Sequence, residues 1–248
     1  MRNLLLALLF CLGSTAAAHA RQFAVLSLVG DKLMVVQYYQ NEGFRSDNSL
    51  QAFVALDDNS LDKTVLLAAD ATLQKIEPGA KPMLLAAKDT ELYATQAELV
   101  RTGKSSKDLL PSLGPMLRGS GATHLILVTK LKHEARVQQI RDTLLGSGML
   151  EGLGFYVDTG RTLPNAPQGG PAPPGVLGPF AYFRLELIDL ASGQILREEK
   201  VVASRTFTNP ESGNAWTALS NKDKILALQD IIRRETTNAI PSLVRLAR

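Results

Sequence analysis

Two histidines, His124 and His133, stand outside the first twenty residues, and their spacing of nine positions matches no common helical or strand metal pair. His124 opens the apolar run Leu125-Ile126-Leu127-Val128, where a polar residue near a strand end is the simpler role. A Ser–His–Asp hydrolase of the α/β kind needs a G-x-S-x-G elbow, and Gly119-Ser120-Gly121 lacks that frame. Asp57-Asp58 and Glu198-Glu199 are adjacent carboxylates. Neighbours on a strand point to opposite faces, so neither pair readily shares a substrate or a metal. Asp57-Asp58 before Asn59-Ser60 reads as turn chemistry entering a helix N-terminus, with a cation site as the sharper alternative. Gly146, Gly148, Gly152 and Gly154 have the composition of a phosphate cradle. A dinucleotide fingerprint, however, needs a helix opening at its third glycine, and here apolar residues and a Pro-rich stretch follow. No catalytic residue, cofactor site or metal ligand is assigned from these residues.

The elements that would position them alternate between sheet and helix. Phe23 to Val29 and Leu33 to Tyr39 are apolar runs around Gly30-Asp31-Lys32, which predicts a hairpin. Gln51 to Leu56 reads as a strand. Ser60 can cap a helix over Leu61 to Ile76, where Val65, Leu66, Ala69, Leu73 and Ile76 share one face and Pro78-Gly79 ends it. Met83 to Ala87 is a short apolar run, Thr90 to Val100 is helix or irregular, and a proline-interrupted helix starts near Ser105. Thr123 to Thr129 reads as a central strand, and His133 to Leu145 is ambiguous between strand and helix. Phe180 to Leu190 and Ile195 to Phe207, joined at Ala191-Ser192-Gly193-Gln194, form a hairpin with one wet face. The last helix, capped at Ser220 or Asn221, aligns Ile225, Leu228, Ile232, Thr236 and Ala239 on one stripe, and Pro241 ends or kinks it.

The first twenty residues are an address. Arg2, the apolar core Leu4 to Leu12 and Ala18-His19-Ala20 predict a cleaved secretory signal with Arg21 as the new N-terminus, and hence a periplasmic or secreted protein. Cys11 is the one cysteine among 248 residues. It lies inside the apolar core without the flanking residues of a lipoprotein signal, so cleavage is favoured over lipidation. The mature chain then has no disulfide, thiol nucleophile or thiolate metal site. Lys+Arg 27 against Asp+Glu 24, with no long run of one sign, gives a nucleic-acid surface no support. Residues 21–248 read as a single domain, with a possible sub-boundary near 101–105.

Residues 146 to 179 differ in composition from the rest. Pro164 to Gly175 cannot form a helix or an interior strand, so residues 159–178 read as a long flexible arm inserted between strands. Beside it lie Met149, Leu150, Leu153, Phe155 and Tyr156. Two readings compete for these five: they pack on the protein's own sheet, or they form an apolar tip that contacts an envelope protein or a membrane surface.

Two segments resemble a known family. Gly121-Ala122-Thr123-His124-Leu125-Ile126-Leu127-Val128 looks like the G-A-D-x-h-h-h-x-G strand (h, apolar) of envelope proteins related to the curli-secretion lipoprotein and the TolB N-terminal domain. Phe183 to Leu196, which contains Ile188-Asp189-Leu190-Ala191-Ser192-Gly193-Gln194, is similar to their h-x-h-x-h-h-D-x-x-T-G-x-h-h hairpin. Ser192 stands for the usual threonine, Thr123-His124 for the acidic position, and the lipid-bearing cysteine is missing. The resemblance covers residues 105 to 240 and implies a small α/β sandwich used for binding and assembly rather than catalysis.

The expectation is an α/β fold with a mainly antiparallel sheet, helices packed on it and the Gly/Pro-rich loop inserted. Its role is that of a non-catalytic binding or assembly component of the bacterial envelope, without a cofactor. The alternative is a hydrolase or small-ligand-binding protein in which Asp57, Asp58 and His124 converge only in three dimensions.

Overall fold

A computed structural model describes residues 21–38, 49–87, 90–138, 144–146, 148–158, 175–209 and 214–245. In chain order the strands are β1 (Phe23–Ser27), β2 (Lys32–Tyr38), β3 (Ser49–Ala55), β4 (Met83–Ala86), β5 (His124–Lys130), β6 (Lys132–Glu134), β7 (Val137–Gln138), β8 (Leu144–Leu145), β9 (Met149–Asp158), β10 (Val176–Asp189), β11 (Gln194–Ser204) and β12 (Phe207–Thr208). The helices are α1 (Ser60–Ile76), α2 (Thr90–Thr102), α3 (Leu110–Leu117) and α4 (Asn221–Val244), with 3-10 turns at Ser106–Leu109 and Ala215–Ala218.

β10 is the spine of the sheet. One of its edges is shared end to end by two strands, β9 along Val176–Tyr182 and β5 along Phe183–Asp189. Its other edge takes β11 and β12. The sheet therefore divides beside β10 into two halves, β9-β2-β3 and β5-β1-β4. β1 pairs in parallel with both β5 and β4, and β2 in parallel with β9. The sheet is thus mixed, which corrects the expectation of a mainly antiparallel one. Parallel pairs need crossover connections, and α1, α2 and α3 supply helical crossovers in this chain.

The predicted hairpin of β1 with β2 does not form. The two strands run in the same direction, both opposed to β10, and lie in different halves of the sheet. The Gly30-Asp31 stretch is a jog rather than a reversal, because the amides of Val29 and Gly30 are held by Asp62 of α1. The predicted β10–β11 hairpin does form, around Gly193 at φ 66° with Asp189 accepting from the Ser192 amide.

Among the described residues the core forms three apolar clusters. The largest joins one sheet face to α1 and α4, through Val65, Leu73, Leu228, Ile232 and Leu243 against Val25, Ile126, Phe155, Phe183 and Leu187. On the opposite face, Leu92, Leu99, Leu109 and Leu113 cover Leu26, Leu125 and Leu127. Val137, Leu150, Tyr156, Phe180 and Tyr182 form the third cluster, over the β9-β2 half. The helix stripes expected in α1 and α4 are the buried ones, apart from half-buried Ile76 and Ile225. α4 is capped as expected, with Ser220 Oγ accepting from the Asp223 amide at 3.1 Å. Pro241 lies within α4, which continues to Val244.

The C-terminal end of the predicted arm is strand instead: Val176, Leu177 and Gly178 are buried β10 residues paired with β9. Residues 159–174 of that predicted arm lie outside the described residues, as do residues 1–20.

Candidate functional site

The densest polar chemistry sits where the two halves of the sheet part, at the carboxyl ends of β1 and β5. Asp62, in the first turn of α1, is buried there and accepts four hydrogen bonds. Ser27 Oγ (2.6 Å) and the Val29 amide (2.9 Å) donate to Oδ1, and the Gly30 amide (3.2 Å) and Tyr93 hydroxyl (2.8 Å) donate to Oδ2. A carboxylate offers about four acceptor positions, so Asp62 is saturated and has none left for a ligand. Burial pushes its carboxyl above the ordinary 3.8, and the four donors oppose that rise. Tyr93 is held protonated well above its usual range by burial and by the Asp62 charge. A Cβ on Gly30 would lie 2.6 Å from Asp62 Oδ2, so only glycine admits the carboxylate at this approach.

Beside this clamp, Lys130 at the end of β5 is 2% exposed and ion-paired with Asp31. Burial lowers the Lys130 ammonium, and Asp31 opposes the shift. Gln96 of α2 bridges the same gap, donating to the Leu28 carbonyl at 2.7 Å and accepting from the Lys130 amide at 2.8 Å. On the other face Glu186 of β10 accepts from Ser106 and is raised mainly by burial. Arg184 Nε lies 3.6 Å from Glu186 Oε1. Asp62, Asp31, Lys130 and Gln96 are committed to partners within the fold rather than lining an opening, while the buried Arg184 Nε makes no hydrogen bond among the described residues.

The residues singled out by their sequence fall elsewhere. Asp57 and Asp58 are exposed at the turn before α1, where Asp58 accepts from the Ser60 amide at 3.0 Å. His124 starts β5, its ring 5.8 Å from Phe23 and its Nδ1 2.8 Å from Thr123 Oγ1. Burial holds its imidazole below 6.5. α1 separates the two places. Its first turn meets Val29 and Gly30 after β1, and beyond its last turn Glu77 pairs with Arg21 before β1. Seventeen residues of helix span about 25 Å, so the aspartates and His124 do not converge. Among the described residues no three His, Cys, Asp or Glu side chains are grouped to hold a metal ion.

Of the five apolar residues near the glycines, Leu150, Leu153, Phe155 and Tyr156 are at most 2% exposed and belong to the clusters described above. Met149 is 39% exposed at the start of β9. The glycines serve packing. A Cβ on Gly154 would stand 1.8 Å from the Met34 carbonyl oxygen of β2, and one on Gly152, at φ 67°, would stand 2.9 Å from Lys130 Cδ.

Three exposed large apolar side chains lie together on a different element. Every described side chain of β3, from Leu50 to Ala55, is exposed, including Leu50 (65%), Phe53 (50%) and Val54 (51%). Among the described residues β3 pairs with β2 alone; it carries no charge and no proline, and its other edge has no described strand against it. One nearby cation, Lys32 of β2, lies 4.5 Å from the centre of the Phe53 ring. The strand expected over Gln51 to Leu56 is present as β3, but nothing in its sequence distinguishes an edge from an interior position.

No family model matches the chain, and no curated protein is similar to it. Among solved structures the chain is similar to protein XCC0632 from Xanthomonas campestris, described by the family DUF330, at 6% identity and a TM-score of 0.38, over 90% of this chain and 84% of that one. A PelC dodecamer subunit from Paraburkholderia phytofirmans is similar at 12% identity and a TM-score of 0.30, over 91% and 90%. Neither likeness transfers a residue or a role to this chain. The mixed α/β architecture rests on its own strand pairing.

Proposed function

We propose that the protein is an exported, non-catalytic component of the bacterial envelope that binds another protein by accepting one of its extended segments along β3. The carrying observation is the β3 edge, seven residues without charge whose apolar side chains are open on both faces. Such an edge adds a strand through main-chain hydrogen bonds, while Leu50 and Val54 on one face and Phe53 on the other supply side-chain contacts. The saturated Asp62 clamp agrees with this reading, since the densest polar cluster is committed to holding β1, α1 and α2 together. Met149, exposed on the β9 side, is a second contact in the same reading. The periplasmic address comes from the N-terminal segment. No helix among the described residues is long and apolar enough to cross a membrane.

The test replaces Phe53, and separately exposed Ala71 of α1, by a photocrosslinking residue in the exported chain. Covalent adducts with envelope proteins at position 53 and none at position 71 are expected. Equal adducts at both positions, or none at 53, overturn the docking role. N-terminal sequencing of the periplasmic fraction checks the address, with Arg21 as the expected first residue.

A further inference from the structure

On the exposed side of α4 a shallow groove of about 360 Å³ opens against the β11–β12 connection. Its floor is Ile231, and its walls are Arg205, Arg233, Arg234, Asp230 and the pair Thr237 and Asn238. The helical spacing puts Asp230, Arg233, Arg234 and Thr237 on one side of α4 because residues three and four apart are neighbours there. Arg205 approaches from the sheet. Its guanidinium carbon lies 5.2 Å from the centre of the Phe207 ring, which orients the planar group without using its donors. Among the described residues no carboxylate pairs with Arg205.

The other two guanidiniums are only lightly engaged. Arg233 donates to Asp230 Oδ1 at 2.8 Å and Arg234 to Glu235 Oε1 at 2.7 Å. Each guanidinium has five N–H donors, so most remain unused, and exposed pairs of this kind are weak and exchange readily. Three forks around one hollow suit a ligand with several oxygens in a tetrahedral arrangement, since each fork can take two of them. Thr237 and Asn238 add a neutral hydroxyl and amide at the rim. Asp230 opposes an anion, and its carboxylate competes with the ligand for Arg233.

We infer that this groove is a binding site for a phosphate-bearing anion, held by Arg205, Arg233 and Arg234. It is separate from the β3 edge and does not depend on the docking reading. The phosphate can come from a soluble phosphate compound or from the headgroup of an anionic lipid, and the two sources are separable by experiment.

The exported chain is titrated with inorganic phosphate while the Nε–Hε signals of its arginines are followed by NMR, with chloride at matched ionic strength as control. Saturable shifts of Arg205, Arg233 and Arg234 are expected, and the triple variant Arg205→Gln, Arg233→Gln, Arg234→Gln should bind at least tenfold more weakly. Asp230→Asn should bind several-fold more tightly, which a purely structural role for these residues would not produce. All four positions are exposed, and an unchanged circular-dichroism melt confirms that each variant folds. In the second arm, co-sedimentation with phosphatidylglycerol vesicles is compared with phosphatidylcholine vesicles. Arginine-dependent binding to the anionic vesicles alone assigns the headgroup source, and phosphate shifts without vesicle binding assign the soluble one. Absence of binding in both arms, or undiminished binding by the triple variant, overturns the site.

Discussion

Asp57 and Asp58 stand in the turn before α1, and Asp62 stands in its first turn. Asp58 is in water and accepts the Ser60 amide, and hydrogen bonds to Ser60 hold its carboxyl below 3.8. Asp62 is buried, accepts from two amides and two hydroxyls, and is raised above 3.8 because burial outweighs them. A short chain separation thus turns the same side chain from a turn residue into the joint of the fold. Paired carboxylates attract attention in a sequence, while a single carboxylate between Leu61 and Lys63 does not. What decides their importance is the number of otherwise unsatisfied donors delivered to each by distant parts of the chain.

The contrast breaks most visibly at Asp62. Asp62→Ala leaves the Ser27 and Tyr93 hydroxyls and the Val29 and Gly30 amides without their acceptor, and a loss of about 4 kcal/mol is expected from urea unfolding. A loss no greater than that of Asp58→Ala would erase the distinction between the two sites. Gly30→Ala should follow at about 2 kcal/mol, because the new Cβ meets Asp62 Oδ2 at 2.6 Å and either the jog or the helix start must shift.

A third test moves to the other face and uses pH. Glu186 is raised above 4.5 in the folded protein by burial, so the native state holds this proton more tightly than the unfolded chain. Its contribution is full below 4.5 and declines as pH rises from there through the folded value. Glu186→Gln keeps an acceptor for Ser106 and removes the ionisation, so its stability relative to wild type should climb across that window. Unfolding curves at a series of pH values check this, and a constant difference would show that the burial does not act on the charge. The smallest effect belongs to Asp58→Ala, within about 1 kcal/mol, since only exposed turn bonds from Ser60 are lost and water replaces them. Thermal melts suffice to measure it.

Much of the fold was legible along the chain, and the failures share a cause. α1 and α4 follow from their apolar stripes, and the β10–β11 hairpin from alternation around a tight turn, because each signal is local. The β1–β2 hairpin was misread because its apolar runs and Gly-Asp turn are compatible with a reversal in isolation. The donors of that turn are instead taken by a side chain 32 and 33 positions away. The glycines near Gly154 stood out in composition, but their reason, the approach of β2 to β9, exists only once those strands pair. The arginine groove gave no sequence signal, since Arg205 lies far along the chain from Arg233 and Arg234.

The sequence by itself determined the α/β class, the course of the two principal helices, the long hairpin, the poor supply of histidine and cysteine, and the expected export signal. These depend on residue identity and short-range periodicity, which a linear chain displays in full. Tertiary structure alone decided that β9 and β5 share one edge of β10, that Asp62 holds the chain where it leaves β1, and that no described strand covers the outer edge of β3. Those outcomes depend on which surfaces remain after every strand has found its neighbours, and burial and hydrogen-bond satisfaction are properties of the whole molecule.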